Sequence, residues 1–132
     1  MFPYLPLEGQ LVALRMRALR EARAFLDPEL QAGTLTIDQA RKILADDLAF
    51  GDAVVKQELD RYTFKSPAQA TSYFYGALRM RELRADVEKA LGSSFDPLSF
   101  HDFVIDQGLL LPHLLREALM TGFVASHGRT HP

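Results

Sequence analysis

Chemistry-bearing residues cluster in the stretch SPAQATSYFYG, Ser66 to Gly76. Tyr73 falls on the inward face of the helix that this stretch opens. A phenol can donate a hydrogen bond to an oxyanion. The alternative is a core tyrosine whose hydroxyl finds a backbone carbonyl. Gly76 lies inside the same helix, where glycine costs about 1 kcal/mol relative to alanine. Its presence predicts the close approach of another backbone or of a ligand. On a wheel of about 100° per residue, Arg15 falls between Leu11, Ala22 and Leu26. Arg81 and Arg84 share the face of Ala70, Tyr73, Phe74 and Ala77. An unpaired buried charge is costly, so two readings stand. Either the arginines line a cleft and aim at a carboxylate or peptide terminus, or they snorkel outward and pair with Glu21, Glu58 or Glu88.

The histidines give less. His127 and His131 have the i, i+4 spacing of a helical zinc pair, but they stand in a glycine-containing terminal stretch, HGRTH. His101 has Asp102 beside it and is either an acid or a ring packed at a helix start. HExxH, GxSxG, P-loop and GxGxxG motifs are all absent from the sequence. The residues alone therefore assemble no complete catalytic set.

The chain must position these groups with 132 residues and no cysteine. That length fits one domain, expected over 1–126 and followed by a flexible tail over 127–132. Lack of cysteine excludes a disulfide scaffold, a thiolate metal site and a cysteine nucleophile. The net charge of −2 provides no basic field for nucleic acid. Arg15, Arg17, Arg20 and Arg23 are also spread around their helix. No apolar run is long enough to span a membrane. The first ten residues lack the pattern of a signal peptide, so the compartment is left open.

Helical periodicity runs throughout, and no stretch has a convincing period of two. A first helix is expected from about 7 to 26, bent or stopped at Pro28 and closed by Gly33. TIDQ reads as a capping box, with Thr36 and Gln39 as reciprocal partners. Gly51 reads as a helix-ending glycine. SPAQ reads as a second capping box, with Ser66 at the cap, Pro67 in the first turn and Gln69 as its partner. It opens one long helix over about 67–91. Asp96 with Pro97 starts another helix, which Gly108 ends, and Pro112 starts the last. The fold class is therefore all-α, with about six helices.

The sequence ELDRYTFKSPAQATSYFYGALRMRELRADVEKALGSSFDPLSFHDFVIDQGLLLPHLL resembles the carboxyl-terminal end of the bacterial domain-of-unknown-function 885 family. That family is similar to helical zinc metallopeptidases. The resemblance rests on Glu58, Arg61, Tyr62, Pro67, Gln69, Ala70, Ser72, Tyr73, Gly76, Leu83, Arg84, Phe100, His101, Asp102, Gly108 and Pro112. Ala68 departs from the family's usual glycine. Gln31 stands about where the family often has a histidine.

The resemblance implies a bundle-like portion of a zincin-like fold. It implies a catalytic role for Tyr73 in oxyanion stabilisation. Substrate-binding roles follow for Arg61, Tyr62, Gln69, Ser72 and Arg84, while His101 is structural. The family's zinc helix and its downstream glutamate ligand precede this region, so no metal ligand and no cofactor is expected in this chain itself. The expected function is the non-metal, substrate-side wall of a peptidase site that is not competent alone. Its expected partner is the amino-terminal catalytic part of the same protein. The alternative is a stand-alone interaction module without enzymatic activity, forming a homodimer through exposed apolar helix faces.

Overall fold

The computed structural model of the chain describes residues 4–128, and the regular elements among them are all helical. Cα packing groups the chain into two compact units, Met1–Tyr75 and Gly76–Pro132.

The first unit begins with α1, Leu7–Ala32. Contrary to expectation, α1 runs through Pro28. Proline removes its own N–H and disturbs one rung of the helix. Leu26 and Asp27 just before it are fully buried, and Leu30 just after it packs on the core. Tertiary packing on both sides thus holds the helix across the gap. Gly33 ends α1 at φ 70°, the left-handed turn that favours glycine.

Thr36 and Gln39 form the expected capping box, with Gln39 N–H donating to Thr36 Oγ1 (3.2 Å) and Thr36 N–H to Gln39 Oε1 (2.8 Å). It opens α2, Ile37–Lys42, which continues into a wide π turn over Ile43–Asp47. Gly51 does not end this helix. It precedes α3, Asp52–Asp60, as its N-cap, and Ala49 makes the left-handed turn at φ 53°. α3 continues into a second π turn, Arg61–Lys65. Leu19, Leu26, Leu44, Val55, Leu59 and Tyr62 form the centre of this unit's core.

α4, Thr71–Leu91, is the long helix, and it starts four residues later than SPAQ suggests. The unit boundary lies within it, between Tyr75 and Gly76. The second unit contains the rest of α4, a short 3-10 turn over Gly92–Ser94, and α5, Pro97–Asp106. Asp96 caps α5 as expected, accepting the Ser99 N–H at 2.8 Å. Then follow α6, Pro112–Ala118, a π turn over Leu119–Val124, and α7, Ala125–His127. This unit's core gathers Leu83, Val87, Phe100, Leu119 and Phe123. Among the described residues, no helix is long and apolar enough to cross a membrane.

Candidate functional site in the first unit

Residues four apart share one side of a helix, and four such pairings build the site. On α1, Arg23, Asp27 and Gln31 follow one another up the side that borders the buried Leu19, Ala22 and Leu26 stripe. At the end of α3, Glu58 and Tyr62 are paired. At the start of α4, Gln69 and Tyr73 are paired. The π turn after α3 brings Arg61 and Tyr62 off the regular helical register, a device often found at functional positions.

The buried base of the site is a fork. Arg23 donates through Nε to Glu58 Oε2 (2.7 Å) and through Nη2 to Glu58 Oε1 (2.5 Å). The Tyr62 hydroxyl adds a third bond to Glu58 Oε2 at 2.8 Å. Burial pushes the Glu58 carboxyl up. The hydrogen bonds from Arg23 and Tyr62 and the Arg23 charge outweigh that effect, and it titrates below the ordinary glutamate value. The bond to Glu58 holds Arg23 above its ordinary value. Burial, then the Glu58 charge, pushes the Tyr62 phenol well above its own. Tyr62 is fully buried, so it holds Glu58 from within the core.

Asp27, also fully buried, reaches the loop that precedes α4. Its Oδ1 accepts the Ala68 N–H (2.8 Å) and its Oδ2 accepts the Ala70 N–H (2.9 Å). Gln31 Nε2 donates to Asp27 Oδ1 (3.3 Å) and to the Tyr62 carbonyl (2.8 Å). The expected SPAQ capping box is therefore not what starts the helix. The Gln69 N–H goes to the Ser66 carbonyl (3.3 Å), a carboxylate from α1 holds the N–H groups on either side of it, and Ala68 sits at φ 63° in the left-handed region. That conformation is one glycine adopts without strain.

With the loop held in this way, the Gln69 side chain turns outward instead of reaching back to Ser66. Its Oε1 accepts from Arg61 Nη2 (2.9 Å) and its Nε2 donates to the Tyr73 hydroxyl (3.3 Å). Arg61 Nη2 donates to the same hydroxyl at 3.2 Å. The Tyr73 ring lies within 6 Å of both guanidinium carbons, 5.7 Å for Arg23 and 5.6 Å for Arg61. The phenol oxygen thus accepts two bonds, and its own hydrogen has no acceptor among the described residues. The Gln69 bond, then the Arg61 bond and charge, lower the Tyr73 phenol below the ordinary tyrosine value. Tyr73 is exposed, so its donor faces solvent. Arg61 has no ion-pair partner among the described residues, and its buried Nε makes no hydrogen bond there.

The structure thus brings Arg61, Gln69 and Tyr73 together. Ser72 donates its hydroxyl to the Gln69 carbonyl at 2.7 Å and so fixes the same turn. Arg84 belongs to the second unit, where Nε donates to Glu88 (2.8 Å) and the guanidinium stacks on Phe95. Arg15 is exposed rather than set inside the apolar face, since its long stem carries the charge out to the Ala49 carbonyl and over the Phe50 ring. A Cβ added at Gly76 would meet nothing within 4 Å, so the expected close approach is not made by the described residues. His101 is exposed on α5 with its ring edge on Phe100.

Sequence reasoning missed Arg23 and Asp27. Their signal is a charged i, i+4 pair set beside the most apolar stripe of α1. No group of His, Asp and Glu among the described residues could hold a metal ion, and His131 of the HGRTH pair lies outside those residues.

The family model for a bacterial protein of unknown function (DUF885) matches residues 2–119. The chain belongs to the DUF885 family. No curated protein and no solved structure matches it. Within this DUF885 chain, Arg61, Tyr62, Gln69 and Tyr73 all lie inside the matched region.

Proposed function

We propose that this chain supplies the substrate-side, non-metal wall of a metallopeptidase-like site and does not hydrolyse peptides by itself. The observation that supports this reading is the Tyr73 phenol. It is exposed, it has two donors behind its oxygen, and its own hydrogen has no acceptor among the described residues. When a peptide carbonyl is attacked, its oxygen gains negative charge, and a donor already aimed there lowers the barrier. In this reading Tyr73 is that donor. Arg61, with no carboxylate bound to it among the described residues, orients an anionic group of the peptide. Gln69 ties the two together, Ser72 fixes the Gln69 turn, and Tyr62 steadies the base through Glu58. A substrate role for Arg84 rests on the family resemblance alone.

Zinc also comes from that resemblance. The described residues do not fit it, having no ligand group, so no step runs through a metal here. The partner is then the zinc-bearing part of the same protein. The test is peptide hydrolysis by the longest gene product that carries this sequence, supplied with zinc. Hydrolysis by that product, none by this chain alone, and a raised KM in Arg61→Ala are expected. A zinc-supplied, folded product that cleaves no peptide would overturn the reading.

One observation favours a second reading. Leu7, Leu11 and Leu14 lie on one side of α1 and are all more than half exposed, at 78, 59 and 53%. Such a stripe can carry a homodimer without any enzymatic role. Light scattering after size exclusion decides it: a dimer lost in Leu11→Glu supports it, and a monomer at all concentrations rejects it.

A further inference from the structure

We infer that Asp27 is the positioning residue of the Tyr73 phenol, acting through the backbone on either side of Gln69. The inference rests on Tyr73 being the working group of the proposed site. Asp27 never touches Tyr73. It accepts the N–H of Ala68 and the N–H of Ala70, the two neighbours of Gln69 in the chain. The Gln69 carbonyl is held from the other side by the Ser72 N–H (3.2 Å) and by the Ser72 hydroxyl (2.7 Å). Gln69 is thus clamped in front, behind and at its own carbonyl, which fixes the direction in which its side chain leaves the backbone. From there Nε2 reaches Tyr73 and Oε1 reaches Arg61.

The arrangement opposes local preference. Left alone, a Ser-Pro-Ala-Gln segment favours the capping box, in which the Gln69 side chain folds back on Ser66. It would then be unavailable to Arg61 and Tyr73. Ala68 at φ 63° also costs roughly 1–2 kcal/mol relative to a right-handed residue. A fully buried carboxylate accepting two backbone N–H groups offsets both, because charge-assisted bonds in a dry site are strong. The anchor is also long-range, from residue 27 to residues 68 and 70, so it couples the core of the unit to the exposed phenol.

The test reads the phenol and not the reaction, so failure of this inference and failure of the peptidase reading are distinguishable. The full chain is labelled with 13Cζ-tyrosine, and the Tyr73 signal is assigned by its loss in Tyr73→Phe. In the wild type, Tyr73 is expected to titrate below an ordinary tyrosine. In Asp27→Asn, with helical circular dichroism retained, its midpoint is expected to rise toward the ordinary value. A purely structural Asp27 would leave a folded variant with an unchanged Tyr73 midpoint, and that result would overturn the inference. If Asp27→Asn does not fold, amide exchange in the wild type decides. Ala68 and Ala70 are expected to exchange at least about tenfold slower than free amides. Exchange of either at the free rate would overturn the inference equally.

Discussion

Replacing Glu58 by glutamine removes the negative charge from the buried fork and leaves Arg23 charged inside the first unit. The Arg23 and Glu58 side chains are only 10 and 5% exposed, so water cannot take over the lost partner. Glutamine keeps one carbonyl oxygen for Arg23 Nε and the Tyr62 hydroxyl. Its amide nitrogen then faces Arg23 Nη2, donor against donor. Breaking a buried pair from one side costs about 3–5 kcal/mol, and the retained bonds place this case near about 3 kcal/mol. The Arg17–Glu21 pair is the internal control, since its side chains are 58 and 44% exposed. Glu21→Gln is expected to change stability by at most about 0.5 kcal/mol. The assay is urea unfolding followed by tyrosine fluorescence. The chain has no tryptophan, and its four tyrosines all lie at or before residue 75, so the signal reports the first unit. With a urea slope of about 1 kcal/mol/M for a unit of this size, the Glu58→Gln midpoint falls by about 3 M, or the unit is already unfolded without urea. A midpoint shift no larger than that of Glu21→Gln would refute the reasoning.

Three further outcomes follow from the same geometry. Gly76→Ala is expected to raise stability by about 0.5–1 kcal/mol, because the position is helical and an added Cβ meets nothing; thermal unfolding by circular dichroism checks it, and a lowered Tm contradicts it. Ala68→Gly relieves the φ 63° strain and is expected to stabilise the first unit by up to about 1 kcal/mol in the tyrosine-fluorescence assay, whereas destabilisation would show that Ala68 is unstrained. Glu58 titrates below its ordinary value in the folded chain, so its contribution is complete above about pH 4.3 and is lost as pH falls through the folded value. Stability measured from pH 7 downward should therefore fall in that acidic window, and Glu58→Gln should flatten that part of the profile.

Local rules read the helix ends well where neighbours in sequence are also neighbours in space. Thr36 with Gln39, Asp96 with Pro97, and Gly33 each behave as their own few residues dictate. The SPAQ box has the same local signature and fails: the N–H groups of Gln69 and Ser66 go to the backbone carbonyls of Ser66 and Arg61, and a carboxylate about forty residues upstream holds the neighbouring N–H groups of Ala68 and Ala70. No local window contains that information. Pro28 likewise looks like a helix end until the burial of Leu26 and Asp27 on one side and the packing of Leu30 on the other are known. The nearness of Arg61, Gln69 and Tyr73 was partly legible, since Gln69 and Tyr73 are four apart and Arg61 precedes them closely. The wheel put Tyr73 on an inward face, whereas the structure leaves it exposed over two guanidinium groups. The Arg23–Glu58 fork joins two helices, and only tertiary structure shows it.

The central claim is that the Tyr73 phenol faces a reacting peptide, and one comparison tests it most directly. The longest gene product carrying this sequence is supplied with zinc and assayed for peptide hydrolysis as wild type, Tyr73→Phe and Tyr75→Phe. Phenylalanine keeps the ring between Arg23 and Arg61 and removes only the hydroxyl. The account predicts that Tyr73→Phe lowers kcat by about 10²–10³ with little change in KM, the cost of losing one oxyanion donor, while Tyr75→Phe retains wild-type activity. Equal kcat for wild type and Tyr73→Phe would contradict it.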